Sequence, residues 1–286
     1  METTLSSILT YLSAGFIQRA FIIGILMALL CSLLSVYIVI KRLSLIGDGL
    51  AHTAYGGLAI GLAIGSVEPI LSNPILVGGA IVIVGSIMIT KAIRSARFSG
   101  DAAVAVFLEL GLATGIFVTS VTRNYGFNLN ALLFGSILLV TWTQIYATAL
   151  VLVLTVVLIF VFYKHLLYTI FNEVQASAAG IVTWKFDYLL AILAGTAVIV
   201  SIPVVGILLT SALFVLPALT SLQLARSFKQ TIMMSPVFGL LSIILGILFS
   251  IIEPNAAPGG TIVLVGLTLL LAAMVTRKIR SLFINS

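Results

Sequence analysis

The sequence predicts an all-α membrane protein, a polytopic bundle of transmembrane helices that forms one domain over residues 1–286. Hydrophobic residues make up 61% of the chain and charged residues only 8%, whereas soluble domains carry roughly 25% charged residues. Residues 124–163 and 188–225 contain no Asp, Glu, Lys or Arg. Because a helix of about 20 apolar residues crosses the hydrocarbon core, we expect several spans, joined by loops too short to hold a soluble catalytic domain.

The basic residues mark the ends of the apolar stretches and so indicate the topology. Lys41 and Arg42, the cluster at 91–97 and the cluster at 277–280 each follow one of these stretches. Cytoplasmic loops of membrane proteins are enriched in Lys and Arg in this way. The net charge of +6 therefore indicates orientation in a membrane rather than nucleic-acid binding. We expect the N-terminus outside and the C-terminus in the cytoplasm.

Alternating the loops across the membrane gives about nine spans, and a count of about eight to ten fits the pattern. A short broken or re-entrant piece is expected at 129–139, because 124–163 is too long for one span. Pro217 falls within a predicted helix, where its missing N–H is expected to produce a kink. The predicted helices cover residues 16–40, 45–66, 74–93, 101–121 and 143–163, then two helices divided at 201–206, and finally 231–252 and 261–276.

The most polar interior stretch, residues 165–185, is expected to lie in the cytoplasm. Within it, Asn172, Glu173 and Gln175 alternate with small residues up to Gly180. This composition favours a short polar helix that transmits motion to a soluble partner. An ordinary interhelical loop is the alternative.

Glycines recur every four residues at Gly57, Gly61 and Gly65, so they line one stripe of the second predicted helix. Small residues at such positions let helix backbones approach closely in lipid. Helix packing is therefore their expected role, and the alternative is that some of them line a transport pathway.

The most informative polar residues inside a predicted span are Asp48 and His52. They are four residues apart and therefore share one face of a helix. A carboxylate and an imidazole are suitable ligands for zinc, manganese or ferrous iron, and ionisable residues within a membrane mark ion or proton pathways. The alternative is a carboxylate that favours the helix dipole and a histidine bonded to a neighbouring carbonyl.

Glu109 lies about two turns into the fourth predicted helix, on the same face as Asp101. It is a candidate third acidic group along such a pathway. The alternative is a structural carboxylate paired with a donor in the bundle. Asp101 itself follows Ser99 and Gly100, an order typical of a helix start.

Several enzyme and cofactor patterns are missing from the sequence. Cys31 is the only cysteine, which excludes a disulfide or a thiolate metal cluster within one chain. The sequence has no GxxxxGK(S/T) phosphate-binding loop and no HExxH zinc motif. We therefore expect no enzymatic activity, no ATP binding by this chain and no permanently bound cofactor.

The sequence resembles the permease subunits of bacterial metal-ion ABC transporters, which import zinc, manganese and iron. The first similar stretch reads KRLSLIGDGLAHTAYGG and contains the family's Gly-Asp-x-x-x-His pattern. Gly100 precedes Asp101 where the family usually has Glu-Asp, and no Leu-Pro-Gly follows His52. Four ordered stretches carry the resemblance, namely 41–57, 98–120, 171–181 and 203–226 with 258–264.

The resemblance implies a permease of the bacterial plasma membrane that forms a homodimer and works with a separate P-loop ATPase and an extracytoplasmic metal-binding protein. A divalent metal ion would be the transported substrate, with Asp48 and His52 as transient ligands and Glu109 as a further candidate. The stretch 171–181 resembles the segment that docks on the ATPase. The residues assigned to this coupling are Phe171, Asn172, Glu173, Ala178 and Gly180.

Two other functions fit the residues less well. An ATP-independent secondary carrier of a cation or small solute needs a coupling-ion site and often has two related halves, and we find no convincing internal repeat. A membrane scaffold without transport activity predicts no cost to neutralising Asp48. Zinc, manganese and ferrous iron all accept Asp and His, so the residue types do not select the metal.

Overall fold

The computed structural model describes residues 15–65, 73–95, 99–122, 135, 140–253 and 256–284. Within these ranges all the regular structure is α-helical, which confirms the predicted fold class. The helices are α1 (Gly15–Ile40), α2 (Ile46–Gly65), α3 (Pro74–Arg94), α4 (Gly100–Thr122), α5 (Trp142–Val161), α6 (Tyr163–Phe171), α7 (Glu173–Ala178), α8 (Thr183–Leu213), α9 (Leu216–Leu224), α10 (Phe228–Ile252) and α11 (Pro258–Ile284).

In the described part of the chain, 7 helical stretches are long and apolar enough to cross a membrane. Six of them are α1, α3, α4, α5, α10 and α11, while α8 and α9 together form one stretch of 42 residues. α2 is not among them, because its glycines together with Asp48 and His52 lower its hydropathy. The predicted count of about nine spans is therefore not confirmed.

The centre of the bundle is formed by α1 and α8. For each of these stretches, 67% of the most apolar window is buried, compared with 22% for α4 and α5. Hydrogen bonds reinforce the packing around α1, since the Ser235 hydroxyl of α10 donates to the carbonyl oxygen of Ser32 at 2.8 Å. Bonds of this kind hold helices together where lipid provides no hydrophobic drive.

The helical run from α8 to α9 is interrupted at two places. Gly206 has φ 78° and ψ 173° inside α8, a conformation that favours glycine, and it lies at the end of the predicted division at 201–206. A second break occupies Phe214 and Val215, after which Pro217 stands in the first turn of α9. The prediction that Pro217 kinks a helix from within is wrong, because at the first turn its missing N–H leaves no bond unmade.

Two further comparisons with the sequence prediction concern residues 165–185 and the last helix. Residues 165–185 hold most of α6, all of α7 and the start of α8, and α7 lies within 171–181, where a short polar helix is expected. α11 continues past the predicted end at 276 to Ile284. The predicted broken piece at 129–139 lies outside the described residues, apart from Gly135. We call the end of the bundle where α1 and α3 end and α2, α4 and α8 begin the basic end, because it carries Lys41, Lys91 and Arg94.

Candidate functional site

Asp48 and His52 both lie on α2, close to the basic end. Asp48 is in the first turn of the helix, where a carboxylate interacts favourably with the helix dipole. His52 follows one turn later on the same face, and both residues are half-buried. α2 has no other Asp, Glu, Lys, Arg or His, so these two side chains dominate its polarity.

The backbones of α2 and α4 are in direct contact at His52. A Cβ atom built on Gly111 of α4 would overlap the carbonyl group of His52 and lie 2.5 Å from the backbone nitrogen of Thr53. One turn further along α2, a Cβ on Gly56 would lie 2.6 Å from the carbonyl oxygen of Gly111. The two helices therefore cross at the level of His52 with no side chain between their backbones.

The glycine stripe on α2 faces the opposite neighbour, α3. A Cβ on Gly57 would lie 3.0 Å from the Cα of Gly78, and one on Gly61 would lie 2.9 Å from the Cα of Pro74. Gly65 is the last residue of α2. Glycines on both sides thus allow α2 to pack tightly between α3 and α4, so that Asp48 and His52 are held on a closely packed helix.

Glu109 is placed on the outer face of α4, and its side chain is exposed. The carboxylates of Asp48 and Glu109 both interact electrostatically with His52, so the three predicted residues belong to one region. However, among the described residues no three His, Cys, Asp or Glu side chains converge closely enough to hold a metal ion. A single copy of the chain therefore brings together at most a pair of these ligands.

The imidazole of His52 is not held by a hydrogen bond from its buried side. Its Nδ1 atom is one of three buried side-chain polar atoms in the described ranges that have no hydrogen-bond partner, together with atoms of Tyr37 and Thr155. Leaving such a group unsatisfied costs about 1–3 kcal/mol. The sequence left open a histidine that is hydrogen-bonded to a neighbouring carbonyl. The Nδ1 atom makes no such bond, so no hydrogen bond through Nδ1 fixes the orientation of the ring.

Residues 165–185, which we call the coupling segment, form a compact surface feature beside the basic end. Asn172 ends α6 and caps α7, because its Oδ1 accepts a hydrogen bond from the backbone N–H of Gln175 at 3.0 Å. Phe171 packs edge-on against Phe228 of α10, with ring centroids 5.5 Å apart. Val174 is exposed, so α7 is anchored at its start and open to solvent along one side.

The open side of α7 ends in a tight turn. Ala178 is the last helical residue and is exposed, as are Ala179 and Gly180. Gly180 has φ 81°, the left-handed conformation common at helix ends. A Cβ atom at this glycine would meet nothing within 4 Å, so the surface around the turn is unobstructed.

An ion-pair network at the basic end was missed by the sequence interpretation. Asp187 of α8 forms ion pairs with Lys41, through Oδ1, and with Arg94, through Oδ2. Arg94 also bonds the Oε1 of Glu173 at 2.9 Å, and this oxygen accepts a hydrogen bond from the Thr183 hydroxyl at 3.0 Å. We call Lys41, Arg94, Glu173 and Asp187 the charged network.

The protonation of the charged network reflects its partial burial. Burial lowers the pKa of Lys41 to about 8; Arg94 acts in the same direction, and Glu173 opposes both. For Glu173, burial raises the pKa, but the hydrogen bonds from Thr183 and Arg94 outweigh it and the pKa is lowered overall. The Glu173 carboxylate is therefore suited to accept a hydrogen bond from the Arg94 guanidinium.

A cavity of about 670 Å³ adjoins the charged network. It lies between the ends of α1 and α3, the α6–α7 region and the start of α8, and all four network residues line it. Apolar side chains such as Ile38 and Leu190 complete the wall. The network thus borders free space instead of being enclosed by tight packing.

Comparisons with known proteins agree with this architecture. Residues 13–277 match the ABC 3 transport family. The chain is 34% identical over 224 residues to a "Probable metal transport system membrane protein" of Thermotoga maritima, covering 78% of this chain and 77% of that one. It is 29% identical over 259 residues to the "Manganese transport system membrane protein MntC" of Halalkalibacterium halodurans, covering 90% and 86%.

A solved structure of similar fold extends the agreement to three dimensions. "PsaBC from Streptococcus pneumoniae in complex with Fab" includes a chain that superimposes with a TM-score of 0.81 at 28% identity, covering 94% of this chain and 95% of that chain. These matches confirm the predicted resemblance to ABC permeases. Members of this family are the permease subunits of ABC transporters, so this chain is a transport subunit and the ATPase is on a separate chain. The family model covers residues 13–277, from α1 into α11, and the chain belongs to the ABC 3 transport family.

Proposed function

We propose that this chain is the permease subunit of an ATP-driven importer of a divalent transition-metal ion, manganese in the first instance. The observation that carries the proposal is the pair of ionisable groups on α2, Asp48 and a His52 ring whose buried nitrogen has no partner. Ionisable groups within a membrane are costly and mark pathways. The names of the relatives, which include a manganese transport protein, support the choice of metal.

Asp48 and His52 act as transient ligands of the passing ion. A carboxylate oxygen and an imidazole nitrogen suit manganese, iron and zinc, and an ion can leave a site only if few ligands hold it. Because no hydrogen bond to Nδ1 holds the ring of His52, the ring can rotate as the ion passes. No permanently bound cofactor is required, since the metal is the substrate.

A second copy of the chain completes the pathway. The outer face of α4 is exposed along Asp101, Ala105, Glu109 and Ala113, which follow one another at one-turn intervals. Facing lipid, the Glu109 carboxylate would be strongly unfavourable, whereas at a two-fold axis it would meet its symmetry mate and the ion. Homodimers with two-fold symmetry are the commonest oligomers, and here each copy contributes Asp48, His52 and Glu109.

The basic end faces the cytoplasm of a bacterial cell. Lys41, Lys91 and Arg94 all lie there, and the positive-inside rule places such clusters in the cytoplasm. The N-terminus is then outside and the C-terminus inside. Counting α2 as a span and dividing α8–α9 at Gly206 gives about nine spans in all, within one permease domain over 1–286.

The coupling segment, 165–185, is the docking site of the ATPase subunit. Phe171 packs on Phe228 and Asn172 caps α7, and these two residues, like Glu173, Ala178 and Gly180, are exposed to a partner. An extracytoplasmic binding protein delivers the metal to the opposite end. Membership of an ABC transport family argues against a secondary carrier and a scaffold.

Metal uptake by cells that carry pathway variants tests the proposal. We expect Asp48→Asn and His52→Gln each to reduce uptake of manganese by about tenfold or more, because each removes one ligand of a weak site. Glu253→Gln removes a carboxylate at the end of α10 and serves as the control, with uptake within about twofold of the original. Membrane expression is measured for all variants. Normal uptake by both pathway variants at normal expression would refute the proposal.

A further inference from the structure

The charged network joins four segments of the chain that are distant in sequence. Asp187 of α8 is bonded to Lys41, 146 residues away, and to Arg94, 93 residues away. Arg94 ends α3 and reaches Glu173 at the start of α7. Glu173 therefore connects the coupling segment to the end of α3 through Arg94, and Asp187 extends the connection to Lys41 at the end of α1.

The two innermost members of the network are nearly removed from solvent. The side chain of Asp187 is 12% exposed and that of Lys41 is 14% exposed. Removing one partner from such a pair leaves the other charge buried and uncompensated, which is strongly unfavourable. The pair therefore resists separation, and a movement of α8 is transmitted to Lys41.

Lys41 is in turn connected rigidly to α2. The turn after α1 is closed by hydrogen bonds from the N–H of Arg42 to Val39 O at 3.0 Å and from the N–H of Leu43 to Ile38 O at 3.0 Å. Arg42 has φ 60°, a left-handed conformation that is unfavourable for a non-glycine residue. α2 begins at Ile46, so the tight turn gives little freedom between Lys41 and the first turn that carries Asp48.

The cavity beside the network provides room for the network to rearrange. Packed interiors resist continuous deformation and switch between discrete arrangements. Space of about 670 Å³ between α1, α3 and α8 permits these helix ends to approach or separate while the ion pairs keep their connections. A network enclosed by tight packing would only hold the helices in one place.

We propose that Asp187 is a positioning residue that couples the ATPase to the metal pathway, by connecting the coupling segment through Arg94 and Lys41 to the start of α2. This inference rests on the proposed function, in which α7 docks on the ATPase and α2 carries the metal ligands. When ATP binding moves α7, the network shifts α2 and changes access to Asp48 and His52. Asp187 touches neither ATP nor metal.

The test measures coupling in the complete transporter, which contains the permease, its ATPase and its binding protein, reconstituted in liposomes. Asp187→Asn keeps the shape of the side chain and removes its charge. We expect it to co-purify with the ATPase in normal amount and to hydrolyse ATP within about twofold of the original rate. Manganese uptake is expected to fall about tenfold, so that more ATP is hydrolysed per ion transported.

Matched variants separate coupling from general damage. Arg94→Gln is expected to raise the ratio of ATP to manganese in the same direction. Lys91→Gln, one turn earlier on α3 and exposed, makes the same charge change outside the network and should leave the ratio unchanged. The double variant Lys41→Gln with Asp187→Asn should be no worse than Asp187→Asn alone, because residues that act as one unit are non-additive.

The possible results distinguish this inference from the proposed function. A normal ratio of ATP to manganese in Asp187→Asn would overturn it, as would loss of co-purification in proportion to lost uptake, which would place the network in docking alone. If Asp187→Asn does not accumulate, Arg94→Gln decides, because Arg94 is more exposed at 30% and less important for folding. Normal manganese uptake by Asp48→Asn would instead refute the assigned metal ligands and leave the coupling result to stand for a pathway through other residues.

Discussion

Two regions of the molecule differ in how far their polar groups are hydrogen-bonded. One is the contact between α2 and α4, and the other is the charged network at the basic end. At the first, helix backbones meet at Gly111, and an imidazole nitrogen of His52 is left without a partner. At the second, Asp187 is bonded through both of its oxygens. This difference fits the two proposed roles, because a site that releases an ion needs a group left free to bind it, whereas a mechanical connection between helices needs its charges paired.

The largest effect is expected from adding a methyl group where the backbones of α2 and α4 touch. Gly111→Ala places a Cβ against the carbonyl group of His52, and backbone cannot move aside as a flexible side chain can. We expect a loss of about 3 kcal/mol of stability and loss of uptake. Thermal unfolding of the purified protein in detergent measures the first.

Gly79→Ala on α3 is the control for the glycine prediction. Its nearest neighbour would be a side-chain atom of Ile199 at 3.7 Å, an ordinary contact, and Ala is the better helix former by about 1 kcal/mol. Its melting temperature should be equal or higher. Equal stability of Gly111→Ala and Gly79→Ala would show that the contact at His52 is not tight.

A smaller effect is expected from the exposed carboxylate on α4. Glu109→Gln should reduce manganese uptake by about three- to tenfold, because in the proposed dimer Glu109 adds a third ligand where the two copies meet. Asp101→Asn, at the start of the same exposed face, should stay within about twofold. If both variants transport equally well, α4 does not line the pathway.

The smallest effect concerns pH and the charged network. Since the pKa of Lys41 is about 8, its ammonium group is charged below that pH and neutral above it. The charged groups that face it are Asp187, Glu173 and Arg94, from α8, α7 and α3. We expect the ratio of ATP to manganese to rise about two- to fivefold as the pH is raised through about 8.

Lys41→Arg distinguishes this titration from other effects of pH, because a guanidinium group stays charged throughout. The variant should keep a constant ratio of ATP to manganese over the range in which the original protein loses coupling. The same rise in both proteins would assign the pH dependence to another group.

Much of the helical architecture could be predicted because charges mark where apolar runs end. The predicted helix at 16–40 corresponds to Gly15–Ile40, and the one at 101–121 to Gly100–Thr122. The break before Pro217 was missed since Phe214 and Val215 are as apolar as the helices around them, so no change of composition signals it. α8 ends at Leu213 although Phe214 is fully buried, which hydropathy alone does not indicate.

The candidate site was accessible from sequence only in part. The spacing of Asp48 and His52 on one helix gives their shared face, but the unpartnered state of the His52 nitrogen depends on what surrounds it. Asp187 appeared only as the last charge before an apolar run, because its partners are far away in the sequence. The signal that could have indicated it is the presence of one isolated acid at a cluster of basic helix ends.

The central claim is that a metal ion passes between Asp48 and His52, and anomalous diffraction from the complete transporter with bound manganese tests it most directly. We predict an anomalous peak about 2.2 Å from an oxygen of Asp48 and from a nitrogen of His52, close to the two-fold axis of the dimer. A peak elsewhere in the membrane, with Asp48 and His52 in contact only with protein or lipid, would contradict the account.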